Sequence, residues 1–161
     1  MKTTALLTLA LIPALALTLS ASAQDAGASG AHVMVKASDT KWGDGPAFLP
    51  KGVQAAVLYG DPAKSGPFAI RLKAPAGGKI PRHWHPTDEQ VTIIEGDFHL
   101  AMDEGAKAHD ADFGAGDYVN LPAKMQHEAS TKGGAVVQVN GMGPFQINYV
   151  DPKDDPRNAK P

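Results

Sequence analysis

The residues best suited to chemistry are gathered in GKIPRHWHPTDEQ, residues 78–90, where two histidines one residue apart are followed by two adjacent carboxylates. Read as a strand, this stretch alternates its side chains between faces, so His83 and His85 point one way and Trp84 the other, with α-carbons about 6.5–7 Å apart. That spacing suits two imidazoles closing on one metal ion at about 2.0–2.2 Å. Pro86 and Thr87 read as a turn, after which Glu89 opens the next strand beside the histidine pair, so that one hairpin supplies three ligands. Asp88 falls on the opposite face in that register. A fourth ligand must come from a distant strand, and the residues leave His99, His109 and His127 as candidates.

The elements that must hold such a site read as short strands. VQAAVLY (53–59), PFAIRLK (67–73), KIPRHWH (79–85), EQVTIIE (89–95), DFHLAM (97–102), DYVNLP (117–122), QHEAST (126–131), AVVQVN (135–140) and FQINYV (145–150) are punctuated at nearly every boundary by Gly, Pro or Asp. Segments of this length with turn chemistry between them predict an antiparallel sandwich or closed barrel. No apolar stripe of helical spacing runs far enough to compete, and the Gly and Pro content would break a long helix.

Around this core the chain divides into four parts. Residues 1–23 carry one basic residue, Lys2, an Ala- and Leu-rich apolar run and a small-x-small ending at Ala21-Ser22-Ala23, the pattern of a secretory signal peptide. The run is too short for a membrane span and is interrupted by Pro13, so no membrane anchor is expected after cleavage. Residues 24–31 are small and Gly-rich and 151–161 are charged and Pro-rich, and both read as flexible tails around a single barrel domain at 32–150. The localisation expected is export, to a periplasm or outside the cell.

Composition excludes several functions. The chain has no cysteine, so neither disulfides nor thiolate chemistry are available to it. With Lys2 removed, 14 basic residues face 17 acidic ones, a net charge of −3 with no blocks of either sign, and nucleic acid is not an expected partner. No nucleophilic serine motif, phosphate-binding Gly loop or dinucleotide fingerprint competes with the histidines.

The order Gly77, five residues, His83, one residue, His85, three residues, Glu89, six residues, Gly96 resembles the first motif of the cupins at every position. Gly116, five residues, Pro122, four residues, His127 is similar to the second. The second motif departs twice, with Lys124 where cupins usually have Gly and Thr131 where they usually have Asn; a left-handed turn at Lys124 would cost about 1 kcal/mol. The resemblance spans roughly residues 53–141. It implies an all-β, single-domain cupin jelly-roll β-barrel of antiparallel strands, with His83, His85, Glu89 and His127 as the metal ligands.

Three imidazoles and one carboxylate suit one divalent transition metal ion with positions left for water, dioxygen or substrate. The order of intrinsic affinity favours zinc or copper, while manganese, iron or nickel suit the coordination number. Glu89 is the candidate catalytic base. Met125, His99, Gln138 and Asn140 are candidates to line the pocket, whereas His32 and His109 read as polar surface. Two functions follow: an exported metal-dependent enzyme of oxygenase type acting on a small chelating organic substrate, or a non-catalytic metal-dependent module that binds or senses small molecules. A homodimer is also expected, the segment around Val33 and Val35 supplying an exchanged edge strand.

Overall fold

In the computed structural model the described residues are 32–104 and 107–159; the expected signal peptide at 1–23 and the 24–31 segment lie outside them. Ten strands carry the fold: β1 (Gly43–Asp44), β2 (Gln54–Tyr59), β3 (Gly66–Ala74), β4 (Lys79–Trp84), β5 (Glu89–Glu104), β6 (Lys107–Gly114), β7 (Tyr118–Leu121), β8 (His127–Ser130), β9 (Ala135–Gly143) and β10 (Asn148–Tyr149). Among the described residues helix is confined to the 3-10 turns Ala37–Asp39 and Pro156–Asn158, and none is long and apolar enough to cross a membrane.

The strands make two antiparallel sheets with one shared member. β1, β2, β3, β9, the first half of β5 and β7 form one sheet. β10, β4, β8, the second half of β5 and β6 form the other. The core between them is built from alternate residues: Phe68, Ile70 and Leu72 of β3, Val137 and Val139 of β9, Leu121 of β7 and Ala129 of β8. Each large side chain buried there contributes roughly 1.5–3 kcal/mol.

β5 joins the sheets by changing its alternation partway. Its register with β9 shifts between Ile93 and Glu95. Before the shift Val91 and Ile93 face the core; after it, Leu100 and Met102 do. One extra residue therefore turns the inward set from odd to even positions. Gly96 follows at φ 84°, and a Cβ there would collide with the Gly134 carbonyl oxygen. The two stretches 89–95 and 97–102 are thus one strand and not two.

Two other expectations change. β6 has no counterpart among the expected strands: KAHDADFG has no β-branched residue and its alternation is confined to Asp110-Ala111-Asp112-Phe113, whose Ala111 and Phe113 pack against the core while the strand pairs along β5 from Asp97 to Glu104. The charged C-terminal segment is ordered over its described residues. Arg157 donates from Nη2 to the Ile147 carbonyl at 3.3 Å while gripping Asp155, and Asn158 donates to the Pro152 carbonyl at 2.9 Å.

Gly96→Ala is expected to lower unfolding free energy by roughly 2–4 kcal/mol in chemical denaturation, since it adds both a clash and a strained φ. Gly116→Ala meets nothing within 4 Å and has only the positive φ of 95° to accommodate, so its cost should be nearer 1 kcal/mol.

Candidate metal centre

His83, His85 and His127 meet at one end of the barrel interior, with a ring nitrogen of each within 4.8 Å of the others and all three buried. His83 and His127 are direct cross-strand partners on β4 and β8. His85 follows the end of β4, and its ring centroid lies 5.0 Å from that of His83. Trp84 is on the opposite face, as the alternation requires.

Glu89 reaches the same point by another route. β4 does not pair with β5; it pairs with β8 and β10, while the start of β5 pairs with β7 and β9 in the facing sheet. The bend at Pro86 and Thr87 is therefore a crossing between sheets and not a hairpin turn. Glu89 Oε2 lies 3.4 Å from His85 Nε2 and 3.3 Å from His127 Nε2. Asp88 is exposed, and its Oδ1 accepts from the Ala123 amide at 2.9 Å, away from the histidines.

The protonation of the three rings follows from their outer contacts. His83 Nδ1 lies 2.7 Å from the Pro81 carbonyl, His85 Nδ1 2.7 Å from the Gln146 carbonyl, and His127 Nδ1 3.1 Å from the Met125 carbonyl. A carbonyl only accepts, so each Nδ1 carries the proton and donates, and each neutral ring turns an Nε2 lone pair inward. Three lone pairs then converge with a carboxylate, a set containing acceptors alone. One proton could bridge His127 and Glu89, but His85 Nε2 is buried with no hydrogen-bond partner. A metal cation satisfies all of them together, and the backbone carbonyls supply the outer contacts that orient metal-binding imidazoles.

Electrostatics agree. Burial, with the neighbouring His127 and His85, holds the His83 pKa down to about 3 from an ordinary 6.5. Burial likewise depresses His85, against the opposing pull of Glu89. For Glu89, burial pushes the pKa upward, but the adjacent imidazoles, His127 foremost, outweigh it and hold the group below its ordinary value. Neutral imidazoles and an ionised carboxylate are the forms that bind a metal.

The segment after β9 completes the site. Phe145 stacks on His85 at 4.4 Å between centroids and an interplanar angle of 15°, beside the Gln146 carbonyl that anchors the same ring. No periodicity marks Phe145 in the sequence; the only local signal is an aromatic following Gly143-Pro144. Lys124 takes the left-handed conformation its motif position demands, at φ 67°, and its amide donates to the His85 carbonyl at 2.8 Å. Thr131, the other departure, is buried and accepts from the Gly134 amide through its hydroxyl at 2.9 Å.

An open cavity of about 410 Å³ has His83, His85 and Glu89 at its floor. None of the four expected pocket residues lines it. Gln138 and Asn140 face outward because Val137 and Val139 take the inner face of β9; Gln138 accepts from Arg71 Nε at 3.4 Å and donates to Asn140 at 3.3 Å. His99 is outside because the β5 register shift gives the interior to Leu100, and its Nδ1 pairs with Asp112 at 2.8 Å. Met125 lies in the turn before β8, packed against the core, and serves His127 through its carbonyl. His109 and His32 are exposed.

The depressed histidines make the metal-free protein acid-labile. Their folded pKa values lie below the unfolded ones, so between pH 6.5 and about 3 the unfolded chain binds more protons and folding stability falls as pH falls. Melts of chelated protein should move to lower temperature from pH 7 to pH 4.5, and His83→Asn should flatten that dependence.

Comparison with known proteins places this geometry in a family. Residues 30–146 match the ChrR cupin-like domain. A comparison with curated proteins returns no match. The fold is similar to the polyketide cyclase RemF from Streptomyces resistomycificus, with a TM-score of 0.63 and 17% identity over 76% of this chain and 88% of that one. It is also similar to an RmlC-like cupin from Shewanella frigidimarina, with a TM-score of 0.55 and 18% identity over 67% of this chain and 87% of that one. Bacillus subtilis oxalate decarboxylase, which has Mn(II) centres, aligns at a TM-score of 0.54 and 23% identity over 70% of this chain but only 31% of its own. With two sheets sharing β5, three converging imidazoles and a domain match across most of its length, this chain belongs to the ChrR cupin-like family of the cupin superfamily.

Proposed function

We propose that this protein is an exported cupin that binds one divalent transition metal ion through His83, His85, His127 and Glu89 and acts on a small chelating organic substrate. The observation that carries the reading is the set of inward Nε2 lone pairs and one carboxylate at the floor of an open cavity. A divalent ion held there supplies Lewis acidity and open positions for substrate donor atoms, and the mixed nitrogen and oxygen set suits an oxidative reaction with dioxygen as co-substrate. His83, His85 and His127 hold their orientation through their carbonyl bonds. Glu89, the only carboxylate at the floor among the described residues, is an anionic ligand that would leave the ion to take a proton from the substrate.

A second reading, a non-catalytic binding module, is favoured by one specific feature. Apart from the floor residues, the described residues of the walls include no group that could relay a proton, Asp44 lying on the rim. The metal favoured is zinc or copper by affinity order, with manganese, iron or nickel suited by coordination number. Export rests on the signal pattern of residues 1–23, which N-terminal sequencing of the mature protein tests directly. The proposal includes a homodimer through the Val33–Val35 segment, where Met34 is 82% exposed in the single chain.

His85→Ala should lose most of the bound metal in elemental analysis, whereas His109→Ala should keep it; equal contents would refute the site. Chelation should lower the melting temperature of the wild type, because the ion binds only the folded state. Glu89→Gln should retain metal at reduced affinity and lose any turnover that requires proton abstraction, while the binding-module reading predicts ligand affinity unchanged by that substitution.

A further inference from the structure

The walls of the cavity restrict what can occupy it. Above the floor the surface is made by side chains such as Phe48, Leu49, Ile70, Leu72, Phe145 and Ile147, and among the described residues no lysine or arginine lines it. Among the described residues the only ionisable lining side chain besides those of the floor is Asp44, which is exposed at the rim on β1 and adds a negative charge to the entrance. The volume of about 410 Å³ is that of a site for a small molecule.

Charge then selects the ligand. A divalent ion with one carboxylate ligand leaves a single net positive charge on the floor. A ligand bearing one negative charge neutralises it. A dicarboxylate leaves an unpaired charge among apolar walls, with no cationic side chain to meet its second carboxylate, and must also pass Asp44. We infer that the cavity selects a compact, mainly apolar molecule whose single negative charge sits on a phenolic or enolic oxygen with no more than a neutral second donor beside it, that this oxygen faces His83, His85 and Glu89, and that dicarboxylates are rejected.

The inference deepens the proposed function and rests on it for the charge of the floor, while the preference for an apolar molecule rests on the wall residues. It is tested by calorimetric titration of the metal-loaded and the chelated protein with 1-naphthol and, separately, with oxalate, alongside elemental analysis of every sample. 1-Naphthol should bind both forms, and oxalate should bind the loaded form at least about tenfold more weakly and the chelated form not measurably. Ala55→Trp, which fills the cavity from β2, should abolish 1-naphthol binding with metal content unchanged; if that variant does not fold, Ala63→Trp at the exposed rim should weaken it by about tenfold. Asp44→Lys should narrow the gap between the two probes.

Oxalate binding as tight as that of 1-naphthol would overturn the inference, as would 1-naphthol binding that survives both Trp substitutions. Metal retained with no 1-naphthol binding would also refute it while leaving the metal site intact. Absence of metal from every preparation, with 1-naphthol binding still lost in the Trp variants, would refute the metal reading and the charge selection built on it while upholding the apolar selectivity of the walls.

Discussion

The barrel depends on a single strand serving two sheets. Alternation in a strand is strict, so a β5 without its register shift would present His99 to the core and leave Leu100 and Met102 in water. The extra residue between Ile93 and Glu95 reverses the parity, and Gly96 lets the chain press against the Gly134 carbonyl where the direction changes. Everything downstream inherits that reversal: β8 pairs with the second half of β5, and His127 sits opposite Met102 and faces inward because of it. Glu89, at the start of the same strand, belongs to the other sheet. The two ends of β5 thus bring to one point a carboxylate and an imidazole from facing walls.

The orientation of the imidazoles is largely local in origin. His83 and His127 each hydrogen-bond through Nδ1 to the carbonyl two residues earlier, a contact that their own strand segments supply. His85 is different. Its anchor is the Gln146 carbonyl and its stacking partner is Phe145, both far along the chain. Two of the three rings are therefore aimed by secondary structure alone, and the third by tertiary packing. The resulting cluster has no donor turned inward, and that deficit gives the site its demand for a cation.

Much of this was legible in the sequence where a physical rule acts over a few residues. The faces of His83, Trp84 and His85 and the exclusion of Asp88 follow from strand period, whereas the left-handed turn at Lys124 is marked only by its motif position, since lysine itself disfavours that conformation. The all-β class followed from short apolar segments broken by Gly and Pro. What stayed hidden depends on pairing between distant segments. β6 carries only a four-residue alternation, Asp110 to Phe113, and is completed by its pairing along β5. The outward placement of Gln138, Asn140 and His99 turns on which parity the core takes, and a valine-rich strand with polar residues between is compatible with either until its neighbours are known. Glu89 was placed beside the histidines for the wrong reason: the connection at Pro86 leads across the barrel, and the residues meet because the two sheets face each other.

The C-terminal turn has a bearing on how the molecule is handled. Arg157 fastens the Ile147 carbonyl, next to the Gln146 carbonyl that holds His85, and Tyr149 donates its hydroxyl to the Phe48 carbonyl on the cavity wall at 2.8 Å. Residues 150–159 thus act as a buckle closed over the strap that carries Phe145 and Gln146. Trimming that end, or fusing a bulky partner directly to it, would slacken the strap and let the His85 ring swing, altering a centre that none of the removed residues touches.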